Sequence, residues 1–98
     1  VFENVLGIGA IVPWHQHEFE EVVITFNGEG ECRTEEGVER FGPGEIMIIP
    51  ARTLHTVRSI GTEPLRLLAV FPVADVKAGT FWKDPMSSEK YGLEDSNL

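Results

Sequence analysis

Cysteine is almost missing from this chain: Cys32 stands alone among 98 residues. One thiol excludes an internal disulfide and the stapled architecture of small secreted domains, so the reducing cytoplasm is the expected compartment. Positive charge is scarce too. Eight Lys and Arg against 16 Asp and Glu leave a net charge of -8, and the cations are scattered along the chain, so neither nucleic acid nor an anionic membrane is an expected partner. No apolar run approaches the roughly 20 residues of a membrane-spanning helix or the core of a signal peptide. Because the chain opens on Val1, a leader trimmed from its front stays compatible with that reading. Helical periodicity is nearly absent, as are internal repeats and low-complexity tracts.

What is present is a rhythm of short apolar segments broken by turn chemistry. The breaks fall at Asn27-Gly28-Glu29-Gly30, Glu35-Glu36-Gly37, Gly42-Pro43-Gly44, Pro50 to Thr53, and Gly61 to Pro64, where Gly supplies positive φ and Pro locks φ in the negative range. The segments between them predict strands over Val5–Val12, Glu21–Phe26, Glu31–Thr34, Val38–Phe41, Glu45–Ile49, Leu54–Ile60 and Leu65–Phe71. This spacing is that of an all-β sandwich or barrel. One domain is expected, with a core over about residues 5–72 and a short irregular tail over 73–98, polar from Lys83 onward. Val22, Ile24 and Phe26 alternate with Val23, and Ile46-Met47-Ile48-Ile49 is a continuous apolar run. A domain of this length cannot cover both faces of such strands with its own chain. A homodimer is therefore expected, the competing cover being the tail around Phe81 and Trp82.

All three histidines sit where a metal can use them. In a strand His15 and His17 of Trp14-His-Gln-His-Glu-Phe-Glu-Glu21 share a face about 6.5 Å apart, and Glu21 has the same parity. A lone His-x-His is more often a surface or hydrogen-bonded pair than a ligand pair. The register with Glu21, the turn at Gly28 and the distant His55 favours metal. Glu18 and Glu20 have the opposite parity and point outward, although a bulge would exchange Glu20 for Glu21. Cys32 reads as a small buried residue with no chemical role. Tyr91, the only tyrosine, lies in the tail, which argues against a catalytic tyrosine and a thiol-dioxygenase centre. Trp14 is expected to pack on the opposite face, while Phe19 and Val23 share the ligand parity as core residues or pocket wall. Gly42-Pro43-Gly44 is a strand-to-strand turn, because no helix follows it to bind phosphate.

These residues resemble the cupin superfamily. Gly9, five residues, His15-x-His17, three residues, Glu21, six residues and Gly28 are similar to its first motif; Gly44, five residues, Pro50 and then His55 are similar to its second. Arg52 stands where the family often has Gly, and Ser59 where it often has Asn. The resemblance implies a small jelly roll, the double-stranded β-helix or cupin-like barrel, with His15, His17, Glu21 and His55 holding one divalent transition metal: iron, manganese, nickel, copper or zinc. It further implies a metal-dependent enzyme acting on a small molecule. The first expectation is a dioxygenase of diketone, flavonol or related oxygen-chelating substrates, with Glu21 as ligand first and proton acceptor second. A non-redox isomerase or lyase is the alternative within that class. The same motifs also resemble the ligand domain of arabinose-type regulators, which implies a sugar-binding or sensing module without catalysis.

Overall fold

In the computed structural model, which describes residues 1–83, nine strands form two antiparallel sheets. They are β1 (Phe2–Leu6), β2 (Ile11–His17), β3 (Glu21–Asn27), β4 (Gly30–Thr34), β5 (Gly37–Phe41), β6 (Ile46–Ile49), β7 (His55–Ser59), β8 (Leu65–Val70) and β9 (Thr80–Trp82). A four-stranded sheet runs β1-β8-β3-β6, and a five-stranded sheet runs β5-β4-β7-β2-β9. Leu6, Val23, Met47, Ile49, Leu65, Leu67 and Ala69 of the first sheet, together with Cys32, Phe41 and Val57 of the second, are buried in one core. The all-β architecture expected from the turn spacing, and the jelly roll implied by the resemblance, are the fold observed.

Two segments depart from the expected outline. The strand read over Val5–Val12 is cut at Gly7-Ile8-Gly9, where Gly9 takes φ 79° and Ala10 N–H donates to Gly7 O at 2.9 Å. Apolar residues on both sides of this turn made it look continuous, and β2 starts only after it. The beginning of the expected tail is also ordered. Val76 is buried in the core, residues 77–79 form a 3-10 turn, and β9 pairs with the edge of β2: His15 opposite Trp82, Gln16 opposite Phe81, His17 opposite Thr80. Three residues are too few to show a period, so only the pairing reveals this strand. The polar stretch after Lys83, including Tyr91, lies outside the described residues.

Residues far apart in the chain also meet on one surface. Arg58 of β7 pairs with Ile11 and Glu31, and Glu31 with Arg40, while Arg33 donates to the Glu31 carboxylate at 2.7 Å. Cations scattered in sequence are thus gathered on the outer side of the five-stranded sheet. Among the described residues no helix is long and apolar enough to cross a membrane.

Candidate metal centre

The two sheets bring His15, His17, Glu21 and His55 together, with one ligand atom from each lying within 4.8 Å of the others. Their positions owe much to an irregularity in β2. Val12 stands opposite Val57 and His15 opposite His55, three steps along β2 against two along β7, so one extra residue is inserted near Pro13-Trp14. In a regular strand Val12, which packs on the core, would put residues 14 and 16 inside and turn both histidines out. The bulge reverses that parity and aims His15 and His17 inward. Pro13 suits the place because it has no N–H to give to the ladder. Glu21 does not continue this strand. The chain leaves β2 after His17, crosses to the facing sheet and opens β3 at Glu21, opposite Ile49. The shared parity therefore named the carboxylate that the fold brings to the cluster, while the geometry behind it is convergence from two sheets. Glu18 and Glu20 are exposed in the crossing, as expected.

Each imidazole is oriented through Nδ1. His15 Nδ1 lies 2.8 Å from Pro13 O, and His55 Nδ1 lies 2.8 Å from Thr53 O, in both cases the carbonyl two residues upstream. A carbonyl only accepts, so both rings carry their proton on Nδ1 and turn the Nε2 lone pair toward the centre. For His17 the partner is Thr80 Oγ1 at 2.7 Å, and that hydroxyl donates its own proton to Val76 O at 2.7 Å. The hydroxyl must then accept from His17, which gives the third ring the same tautomer. Thr80 belongs to the segment read as tail. Nothing in its sequence surroundings marked it as a positioning residue.

Packing completes the constraint. The His17 ring stacks on Phe19 with centroids 5.6 Å apart and meets Phe71 edge-on at 4.9 Å, while Trp82 lies 4.9 Å from His15. His15, His17 and His55 are all at most 3% exposed. Among the described residues, His17 Nε2 and Glu21 Oε1 are buried without a hydrogen-bond partner, although Glu21 Oε1 lies 3.4 Å from His17 Nε2 and 3.6 Å from His55 Nε2. Three lone pairs and a carboxylate facing one another are unfavourable in a dry site unless a cation lies between them. The residues present fit a divalent metal.

Burial, aided by the neighbouring His55, lowers the His15 imidazole from 6.5 to about 3. Burial raises the Glu21 carboxyl, and hydrogen bonds from His17 and His55, where these rings carry a proton on Nε2 as well, outweigh it and bring Glu21 down to about 2. At neutral pH the site thus holds a neutral His15 and an ionised Glu21, both ready to act as donors. Between pH 6.5 and 3 the unfolded chain binds a proton at His15 that the folded chain refuses, so stability falls as pH falls across that window. Glu21 acts in the same direction between 4.5 and 2. The cost is about 1.4 kcal/mol per pH unit from His15 alone, or roughly 5–10 °C in melting midpoint for a domain of this size. Calorimetry of chelator-treated protein is expected to show this decline below pH 6.5. A midpoint constant from pH 6.5 to 4.5 contradicts it.

The profile of the cupin domain matches residues 3–71. The chain belongs to the cupin family. No match is found among curated proteins. Among solved structures, this cupin is similar to a double-stranded β-helix protein from Klebsiella pneumoniae, with 22% identity, TM-score 0.70, and coverage of 82% of this chain and 70% of that one. It is also similar to a cupin-like protein from Thermotoga maritima, with 22% identity, TM-score 0.71, and coverage of 89% and 65%. The DMSP lyase DddQ from Ruegeria pomeroyi is 26% identical with TM-score 0.72, over 85% of this chain and 42% of the lyase. This chain therefore spans less than half of that enzyme.

The cupin's motif glycines Gly9, Gly28 and Gly44 have φ between 79° and 82°, and Arg52 takes the left-handed position at φ 59° that the family often gives to Gly. Arg52 N–H donates to His17 O at 2.7 Å, tying that loop to the site. A cavity of about 510 Å³ opens beside the centre, lined in part by Gln16, Cys32, Glu39, Ile49, Arg52 and Leu54. None of the four donors lines it. Yet Gln16 lies between two of them, Leu54 precedes the third histidine, and Ile49 is the cross-strand partner of Glu21. Burial, with Glu21 and Glu39 nearby, pushes the Cys32 thiol up to about 12, which leaves it an inert wall residue.

Proposed function

We propose that this cupin is a metal-dependent enzyme acting on a small oxygen-chelating molecule, with His15, His17, Glu21 and His55 holding one divalent transition metal. The observation that carries this reading is the set of four buried donors within 4.8 Å, two of whose atoms lack any protein partner. Three nitrogens and one oxygen suit iron, manganese, nickel, copper or zinc, each of which accepts more ligands than four or exchanges one readily. When bound, such an ion polarises an oxygen of the substrate and stabilises the negative charge that develops there. The chain's own part is positional. Pro13 O, Thr53 O and Thr80 Oγ1 hold the imidazoles by their Nδ1 protons, and this kind of outer support raises ligand basicity and fixes geometry. Glu21 is the one anionic donor among the four and faces the three imidazoles, so its role is ligand before proton acceptor.

Lyase or isomerase chemistry is the reading we place first, supported by the similarity to the DMSP lyase at 26% identity. Dioxygenase chemistry on a diketone or flavonol stands second, supported by the nitrogen-rich donor set, which suits redox-active metals as well. Elemental analysis of protein purified without added metal, followed by turnover of small carboxylates, diketones and flavonols with and without oxygen, tests both. Stoichiometric metal with oxygen-independent turnover is expected. Turnover that consumes oxygen selects the dioxygenase. Metal-free protein that binds a sugar or small acid tightly overturns the enzyme reading in favour of a sensor. The cytoplasm as its location rests on the lone cysteine.

A further inference from the structure

The 510 Å³ cavity beside the metal centre has buried apolar walls and an acidic rim. Its size falls within the roughly 300–1,000 Å³ of small-molecule sites. Met47 and Ile49 are buried core residues, while Glu35, Glu36 and Glu39 bring three carboxylates against one guanidinium, Arg52. The walls meet the donors from both sheets. Ile49 pairs with Glu21, and Thr34 of β4 stands one step past the Arg33–Thr56 pair, level with His55. Cross-strand neighbours of this kind have Cβ atoms about 5 Å apart.

Glu39 sets the character of the rim. It pairs with Cys32, which pairs on its other side with Val57, and it precedes Phe41 by two residues, so it takes the inner side of the five-stranded sheet with these three core residues. Because β5 is the edge of that sheet, Glu39 is exposed all the same. Arg52 is turned elsewhere, its guanidinium 3.4 Å from Glu18. Among the described residues no cation forms an ion pair with Glu35, Glu36 or Glu39. Burial and then Glu21 and Glu39 raise the Cys32 thiol, which places it between the carboxylate of the centre and that of the rim.

We propose that this cavity selects a substrate with a positively charged end, an ammonium or similar cation held at Glu39 and the Glu35-Glu36 turn, while an oxygen-chelating head reaches the metal. A short apolar middle lies on Met47 and Ile49. The proposal rests on the metal-dependent reading above and adds the charge class of the substrate. A low-dielectric cavity lined by one sign of charge concentrates the opposite sign and repels its own, so a substrate ending in a carboxylate is turned away at the rim.

Three hydroxamates of equal length, ending in ammonium, methyl or carboxylate, share one bidentate oxygen head and differ only in terminal charge. They are titrated by calorimetry into the zinc-loaded full chain near neutral pH, with zinc content measured in parallel. The ammonium compound is expected to bind about 10-fold more tightly than the methyl compound and the carboxylate most weakly, the preference shrinking in concentrated salt. Glu39→Gln keeps the shape of the side chain and removes its charge. It is expected to cut the preference to about 3-fold or less without changing the affinity of the methyl compound, while Glu3→Gln, on the outer face of the other sheet, leaves the preference intact. A preference that Glu39→Gln does not touch overturns the proposal, leaving that carboxylate as a guard against edge pairing. An equal loss in Glu3→Gln also overturns it, since the acidic protein as a whole would then be attracting the cation. Equal affinities, tightest binding of the carboxylate, or zinc-loaded protein that takes none of the three overturn it with the metal reading intact. A chain that holds no zinc fails the metal reading itself, and the proposal falls with it.

Discussion

His55→Ala and His15→Ala are each expected to lose bound metal almost completely, while Glu20→Ala keeps it. Removing one of four donors also removes the Nδ1 anchor that held it, so affinity should fall by more than the roughly 10- to 100-fold that second-sphere changes cost. Glu20 is exposed in the crossing between the sheets and contributes nothing to the cluster. Thr80→Val supplies an intermediate step. It keeps the shape beside His17 and removes the hydroxyl that accepts its proton and donates to Val76 O, so metal binding should weaken within that 10- to 100-fold range. Metal content by plasma mass spectrometry, with zinc or manganese titrations of the chelator-treated proteins, gives the series. Saturating metal at about 100 times Kd is expected to add about 2.7 kcal/mol to the wild type, or roughly 10–20 °C, and nothing to His55→Ala. Full metal content in both histidine variants would end the assignment of this centre.

The candidate cluster was legible because metal chemistry restricts residue type so severely: with only three histidines, two on one strand and one far away, few arrangements exist. The support around them was not. The bulge at Pro13-Trp14 that turns the histidines inward leaves only a proline as its trace, and a proline in a strand reads equally well as an edge. Thr80 and Trp82 reach the centre through β9, a strand of three residues with no period to detect. Positive φ was easier to foresee, because Gly9, Gly28 and Gly44 are the residues that tolerate it. Arg52 departs from the glycine usual at its place, and it adopts φ 59°, at a cost of about 1 kcal/mol. Charge distribution was the least visible property. Arg33, Arg40 and Arg58 look dispersed in sequence, and only the β4-β5 and β4-β7 registers place them around Glu31.

Gly28→Ala is expected to be the most destabilising single-methyl change among the motif glycines, because two costs coincide there. Gly28 takes φ 81°, where an L side chain is strained by about 1 kcal/mol or more. A Cβ there would also stand 2.4 Å from Pro64 O and 2.8 Å from Leu65 Cα, both backbone atoms. Leu65 is fully buried at the start of β8, so the backbone cannot yield without moving the strand that pairs with both β1 and β3. Overpacking of this kind costs about 1–3 kcal/mol beyond the strain, for a total of about 2–4 kcal/mol out of the 5–15 typical of a whole domain. Gly9→Ala separates the two terms: φ is 79°, yet nothing lies within 4 Å of the new methyl, so only the strain remains. Thermal melts should place Gly9→Ala about 5 °C below the wild type and Gly28→Ala roughly 10–30 °C below. Equal losses at the two positions would mean that the approach of the Gly28 turn to Pro64 is not as close as described. Neither methyl touches a donor, so saturating metal should raise both variants by about the same interval as the wild type, distinguishing damage to the fold from damage to the centre.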